Sequence, residues 1–375
     1  MPLFRAEPPA ISPDLERTAI LWCNLGSPDA PTAKAVRPYL ADFLGDQRVV
    51  EIPKIIWALI LHGIILRVRP GKSAAKYASI WLPRVEGSSE GGSPLKVWTD
   101  KQATLLAGWL AQRGHSITVK PAMRYANPSI AAQLDALKAD GVTRVLVMQA
   151  YPQYSGTTTA SVIDAVSDWS RKVRYLPEFR FVNQYHDDPL YIEALAQRVE
   201  GYWSEHGRGD VLLMSFHGIP ARNIQLGDPY QTQCLETARL LVARLGLQAA
   251  QYRVTFQSRF GPAKWLEPYT EPTLRTLGKA GIGRVDVMCP GFPSDCLETL
   301  EEIAMEGCEA FLHEGGKEFH YISCLNDSAP WITALSAIAE RHLAGWPTRV
   351  QPALEHTTVD AGGALHAIKQ ASATH

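Results

Sequence analysis

Neither sign of charge dominates this chain. Its 37 Lys and Arg stand against 38 Asp and Glu, a net charge of −1, and the basic footprint of a nucleic-acid binder is absent. Cysteine is sparse and scattered. Cys23, Cys234, Cys289, Cys296, Cys308 and Cys324 include no Cys-x-x-Cys pair, which argues against both a zinc knuckle and a disulfide framework and suits a reducing cytoplasm. No apolar run reaches the ~18 residues needed to cross a bilayer. The first residues lack the basic, apolar, small-residue order of a secretory signal. No Gly-x-Gly-x-x-Gly and no Gly-x-x-x-x-Gly-Lys-Ser/Thr follows an expected strand, so dinucleotide and P-loop chemistry have no support.

What is present is an apolar chain with a regular alternation. Hydrophobic residues make up 46% of 375, enough to bury two domain cores. Short apolar runs occur at Ala19–Asn24, Ser116–Pro121, Val145–Ala150, Phe179–Asn183, Val211–Phe216, Tyr252–Phe256, Val285–Cys289 and Tyr321–Cys324. Each reads as a strand buried on both faces. Between them, 101–113, 129–139, 190–205, 233–245 and 296–306 carry helical spacing. The order predicts an α/β fold of two Rossmann-like domains, each a four-stranded parallel sheet flanked by helices. The expected divisions are 15–175, 176–328, a closing helix within 329–347 and a flexible tail over 348–375. A Gly/Ser-rich loop at 83–94 is expected to be mobile.

One apolar stretch stands apart, residues 55–66, with Lys54, Arg67 and Arg69 at its ends. It reads either as a buried helix or as an apolar lip that meets a membrane face or a greasy ligand.

In open parallel sheets, ligands sit beyond the carboxyl ends of strands. Among eleven histidines, His217 follows a strand and precedes Gly-Ile-Pro, a turn that holds the imidazole over the crevice. His186, among charged neighbours, reads as a solvated turn. After the strand ending at Cys289 come Asp295, Glu298, Glu301 and Glu302. On an α-helix Asp295, Glu298 and Glu302 share a face. A capping box from Asp295 to Glu298 explains part of this. It does not explain Glu298 with Glu302, like charges that repel at i, i+4. A histidine and carboxylates on neighbouring strand ends suit general base catalysis, or transient binding of a divalent metal such as Fe²⁺.

Seven segments, in order, carry a resemblance over about 18–343: Leu-Trp-Cys-Asn-Leu-Gly-Ser-Pro-Asp (21–29), Gly-Ser-Pro-Leu-Lys-Val-Trp-Thr (92–99), Met-Arg-Tyr-Ala-Asn-Pro (123–128), Tyr-Pro-Gln-Tyr-Ser (151–155), Ser-Phe-His-Gly-Ile-Pro (215–220), Gln-Ser-Arg-Phe-Gly-Pro-Ala-Lys-Trp-Leu (257–266) and Cys-Pro-Gly-Phe-Pro-Ser-Asp-Cys-Leu-Glu-Thr-Leu-Glu-Glu (289–302). The sequence resembles ferrochelatase, of the bacterial type, a lyase that inserts Fe²⁺ into protoporphyrin IX and releases two protons at the end of haem synthesis. The resemblance implies a class II chelatase-like fold with the macrocycle between the two domains. It implies His217, Glu298 and Glu302 as catalytic residues, with His217 and Glu298 also meeting the metal. Arg69, Tyr77 and Ser93 fall where the family contacts the porphyrin, and Leu25, Arg124, Tyr125 and Trp265 where it lines the cleft. Arg69 and Lys72 are placed to pair with propionates at the rim. The 55–66 stretch falls in the family's lip, implying peripheral contact with the inner face of the membrane. No permanently bound cofactor is expected, and no [2Fe–2S] cluster, since no cysteine follows Cys324. A monomer and a weak homodimer both remain open. Two other readings fit the same residues: a chelatase for coproporphyrin or another tetrapyrrole, and a non-catalytic haem or porphyrin carrier.

Overall fold

The computed structural model describes residues 4–8, 17–83, 91–259, 261–349, 356–359 and 365–368, the last two segments as backbone only. The first half contains β1 (Arg17–Asn24), α1 (Ala33–Gly45), α2 (Lys54–Ile60), α3 (Leu66–Ile80), α4 (Pro94–Gln112), β2 (Thr118–Met123), α5 (Ile130–Ala139), β3 (Val142–Gln149), α6 (Thr159–Ser170) and β4 (Glu178–Val182). A π-turn, Leu61–Ile65, joins α2 to α3. The second half contains α7 (Pro189–His206), β5 (Val211–His217), α8 (Ala221–Gln225), α9 (Tyr230–Leu245), β6 (Tyr252–Gln257), α10 (Thr270–Lys279), β7 (Arg284–Met288), a π-helix (Glu298–Gly307), α11 (Cys308–His313), β8 (Glu318–Tyr321) and α12 (Ala329–Leu343).

All strand pairs in both four-stranded sheets are parallel. The orders are β2-β1-β3-β4 and β6-β5-β7-β8, the same topology twice. In each, the first strand is flanked by the second and third, so the crevice where the winding reverses opens at the carboxyl end of β1 and of β5. Seven of eight β1 residues and six of seven β5 residues are buried, as strands covered on both faces must be.

One apolar core joins the halves. Trp331 of α12 is fully buried and its ring lies 6.4 Å from Trp22 and 5.9 Å from both Tyr185 and Tyr191. Leu335, Ile338 and Leu343 continue that packing against α7 and α4. Each such side chain contributes ~1.5–3 kcal/mol on burial.

Three expectations need correction. The eighth strand is Glu318–Tyr321, not 321–324. After Ile322 the backbone leaves the sheet, because Cys324 N–H donates to Asp295 and Asn326 N–H to the Pro293 carbonyl. The helix expected over 296–306 is a ten-residue π-helix from Glu298. Within the expected tail, His356–Val359 and Leu365–Ile368 pair antiparallel, which the periodicity did not suggest. Residues 350–355, 360–364 and 369–375 of that tail, and 84–90 of the Gly/Ser-rich loop, lie outside the described residues, as do 15 and 16 at the expected start of the first domain.

Candidate active site

β5 is buried up to Phe216, and His217 is its first residue to emerge. Its Nδ1 lies 2.6 Å from the Gly218 carbonyl. A carbonyl only accepts, so Nδ1 carries a proton, and in the neutral ring the lone pair is on Nε2. The turn needs glycine at 218, whose N–H donates to the Gln257 carbonyl at 2.7 Å. A Cβ there would stand 2.7 Å from that carbonyl oxygen and 3.2 Å from the Trp265 ring. Aromatic groups flank the imidazole, Trp265 at 6.4 Å and Phe292 at 6.3 Å between ring centroids.

The end of β6 ties this histidine to the acids. Gln257 is the register partner of His217, and its amide donates to the Glu298 carbonyl at 2.7 Å. Ser258, the next residue, donates its N–H to Glu302 at 2.6 Å and its hydroxyl at 2.5 Å. It does so at φ +67°, a left-handed conformation costing an L residue roughly 1–2 kcal/mol. That strain is held by the two bonds to one carboxylate.

Burial pushes the Glu302 carboxyl above its ordinary range, the Ser258 bonds and the nearby His217 pull it back, and Glu298 pushes it up again. The three groups therefore share one electrostatic environment. A carboxyl whose pKa is raised by folding opposes folding once pH exceeds its unfolded value, near 4.5. Glu302→Gln is accordingly expected to stabilise the protein at pH 7, with the gain vanishing below pH 4.5, as read by denaturant melts across pH.

Glu298 sits at the seam between the halves. Tyr39 of α1, Tyr77 of α3 and Cys296 are all pushed up by burial, and the Glu298 carboxylate adds to each rise. Asp295 does not join this face. It is 4% exposed and accepts from Tyr321 Oη and Asn326 Nδ2, both at 2.6 Å, and from Thr299 Oγ1 at 3.1 Å. The expected capping box is absent; no side chain caps the π-helix. In the wider i→i+5 winding, residues four apart fall close to one line, so Glu298 and Glu302 stay aligned while a residue three before Glu298 turns inward. Glu301, on another face, pairs with Lys76.

The opposite wall is apolar. Tyr39, Tyr77, Trp57, Leu61, Leu66 and Tyr125 form a buried cluster against which Leu25 packs from β1's end and Leu297 and Leu300 from the acidic segment. Tyr125 and Arg124 spend their polar ends elsewhere: both reach Asp46, at 2.8 and 2.6 Å, so they offer the cleft only ring and stem. Asp46 also accepts from Ser161 Oγ at 2.5 Å and is a positioning group that the sequence reading missed. Ser93 is 3% exposed at the start of α4. Arg69 and Lys72 lie on the exposed side of α3. The Trp265 indole N–H is buried and finds no acceptor among the described residues. The 55–66 stretch has two faces: Trp57, Leu61 and Leu66 are buried, while Ile55 (81%), Leu59 (73%) and Ile64 (61%) face outward.

Among the described residues, no three His, Cys, Asp or Glu side chains stand close enough together to hold a metal ion. A resident centre normally has three or four protein ligands. What the cleft offers instead is one basic nitrogen and two carboxylates facing an apolar wall.

The ferrochelatase family model matches residues 17–343. The chain belongs to the ferrochelatase family. Its relatives include the ferrochelatase of Polaromonas sp. (strain JS666 / ATCC BAA-500), 66% identical over 92% of this chain and 91% of that one. That of Methylibium petroleiphilum is 63% identical over 90% and 91%. Among solved structures, SirB from Bacillus subtilis with Fe³⁺ covers 89% of this chain and all of its own, at 12% identity and a TM-score of 0.48. The family makes this chain a lyase, and porphyrin and a metal ion are its substrates. No helix among the described residues is long and apolar enough to cross a membrane.

Proposed function

We propose that this chain inserts Fe²⁺ into protoporphyrin IX, with His217 as the base. The single observation that carries the reading is the grouping of the His217 Nε2 lone pair with Glu302 and Glu298 at one end of the second sheet, opposite an apolar wall from the first half. Metal insertion exchanges two pyrrole protons for one Fe²⁺, so the site must accept protons while admitting a dication. In a flat macrocycle the N–H groups lie in the ring plane. Gripping the ring between the halves tilts them out, at ~1–5 kcal/mol of strain drawn from remote contacts. Leu25, Tyr77, Tyr125 and Trp265 provide the grip, Ser93 its edge, and Arg69 and Lys72 meet propionates at the rim. The His217 Nε2 lone pair meets Fe²⁺ with Glu298 as the metal enters and, once the metal has passed to the ring, takes one pyrrole proton; the Glu302 carboxylate takes the second. Fe²⁺ is substrate, and the mechanism uses no resident cofactor.

Anaerobic incubation with Fe²⁺ and either protoporphyrin IX or coproporphyrin III, followed by absorption, tests this reading. Faster metallation of protoporphyrin IX is expected, since the cleft mouth is an apolar lip. Faster metallation of coproporphyrin III would overturn the substrate assignment, and tight haem binding with no insertion would favour a carrier.

The lip also supports a peripheral contact with the inner membrane face. Ile55, Leu59 and Ile64 expose an apolar patch beside Lys54 and Arg67, the arrangement of an interfacial anchor. Ile55→Asp with Ile64→Asp is expected to weaken binding to anionic lipid vesicles by about tenfold or more, since each lost side chain forgoes ~1.5–3 kcal/mol.

A further inference from the structure

The π-helix carries two acids the mechanism does not use, Glu301 and Glu306, and one lysine holds both. Lys76 Nζ on α3 lies 2.9 Å from the Glu301 carboxylate and 2.8 Å from Glu306 Oε1. The two acids are five residues apart. At 3.6 residues per turn such positions point about 140° apart, and an ammonium fixed on a neighbouring helix would reach only one of them. The wider i→i+5 winding narrows that angle and brings both within reach of one ammonium. The double bridge therefore fits the π form and not the α form.

The bridge is also placed to matter. The Glu301 side chain is 11% exposed, so its charge needs a partner; Glu306, 53% exposed, is the solvated end, where an ion pair alone is worth little. Glu302, bonded to Ser258, directly follows Glu301, and Tyr77, beside Glu298, directly follows Lys76. Tightening the segment to an α-helix would shift Glu302 away from Ser258.

We propose that Lys76 is a positioning residue for metal insertion: by clamping Glu301 and Glu306 across one π turn, it keeps Glu302 seated on Ser258, beside Glu298 and His217. This rests on the reading that those acids act in the reaction. The test compares Lys76→Gln, Lys76→Arg and the exchange Lys76→Glu with Glu301→Lys, measuring kcat per porphyrin-binding site and KM for porphyrin and for Fe²⁺. Misplaced catalytic groups cost rate more than affinity, so Lys76→Gln is expected to lower kcat about tenfold while porphyrin KM changes less than about twofold. Lys76→Arg and the exchange are expected to recover most of that loss, because each restores a cation–carboxylate bridge. A brace that served only stability would reduce the folded fraction and leave kcat per site unchanged. Wild-type kcat in Lys76→Gln would overturn the proposal, as would equal losses in all three variants. Failure of the underlying reading would show separately, as full activity in Glu298→Gln.

Discussion

Replacing His217 with alanine is expected to lower metal insertion about 10²–10⁴-fold, the usual worth of a positioned acid–base group, while leaving the fold within ~1 kcal/mol of wild type. The asymmetry follows from its place. β5 is already buried and paired on both sides before His217 emerges, so the sheet does not depend on the imidazole. The reaction does, because Nε2 is the uncommitted basic nitrogen of the cleft, its ring fixed through Nδ1. His217→Asn is a useful companion, keeping polar bulk without the basic imidazole nitrogen. Porphyrin binding followed by fluorescence quenching should persist in both variants; insertion should not. Normal turnover in His217→Ala would refute the catalytic assignment.

Asp295→Ala is expected to behave in the opposite way, costing about 3–5 kcal/mol of stability because buried donors lose a shared carboxylate. Tyr321 Oη, Asn326 Nδ2, Thr299 Oγ1 and Cys324 N–H all converge on it. Asn326 does so at φ +47°, another left-handed residue held by its partner. This knot fixes the entry to the π-helix and is tied to the first half by Gln102, whose amide reaches the Pro293 and Asn326 carbonyls. Activity is therefore expected to fall along with stability. Denaturant unfolding checks the first effect; a variant as stable as wild type would contradict this account of the knot.

How far the sequence disclosed this site depends on the range of the forces involved. The apolar run ending at His217 placed that side chain at a sheet crest, because burial of a parallel strand is a local pattern. The Glu298/Glu302 pair was visible as a like-charge conflict that a purely structural helix avoids. The winding beneath it was not. Leu297, Leu300 and Ile303 suit an α-helix equally well, and the π form is supported by contacts from α3 and β6, distant in sequence. Asp295 was misread for the same reason: its partners lie up to 31 residues away. Asp46 escaped notice because nothing nearby marks it; Arg124 and Ser161, which it holds, stand 78 and 115 residues further on. The strained Ser258 was equally silent, since serine has no preference for a left-handed backbone and only Glu302 explains it. The 55–66 run disclosed its hydrophobicity but not its two faces, which depend on Trp57 turning inward to donate to the Leu44 carbonyl.

A crystal structure of the protein with metal-free protoporphyrin IX bound would test the central claim most directly. The account predicts the macrocycle lodged between α3 and the His217 turn, one face toward His217 and Glu298, its ring bent out of plane. A planar porphyrin seated elsewhere, with His217 and Glu298 both out of its reach, would contradict it.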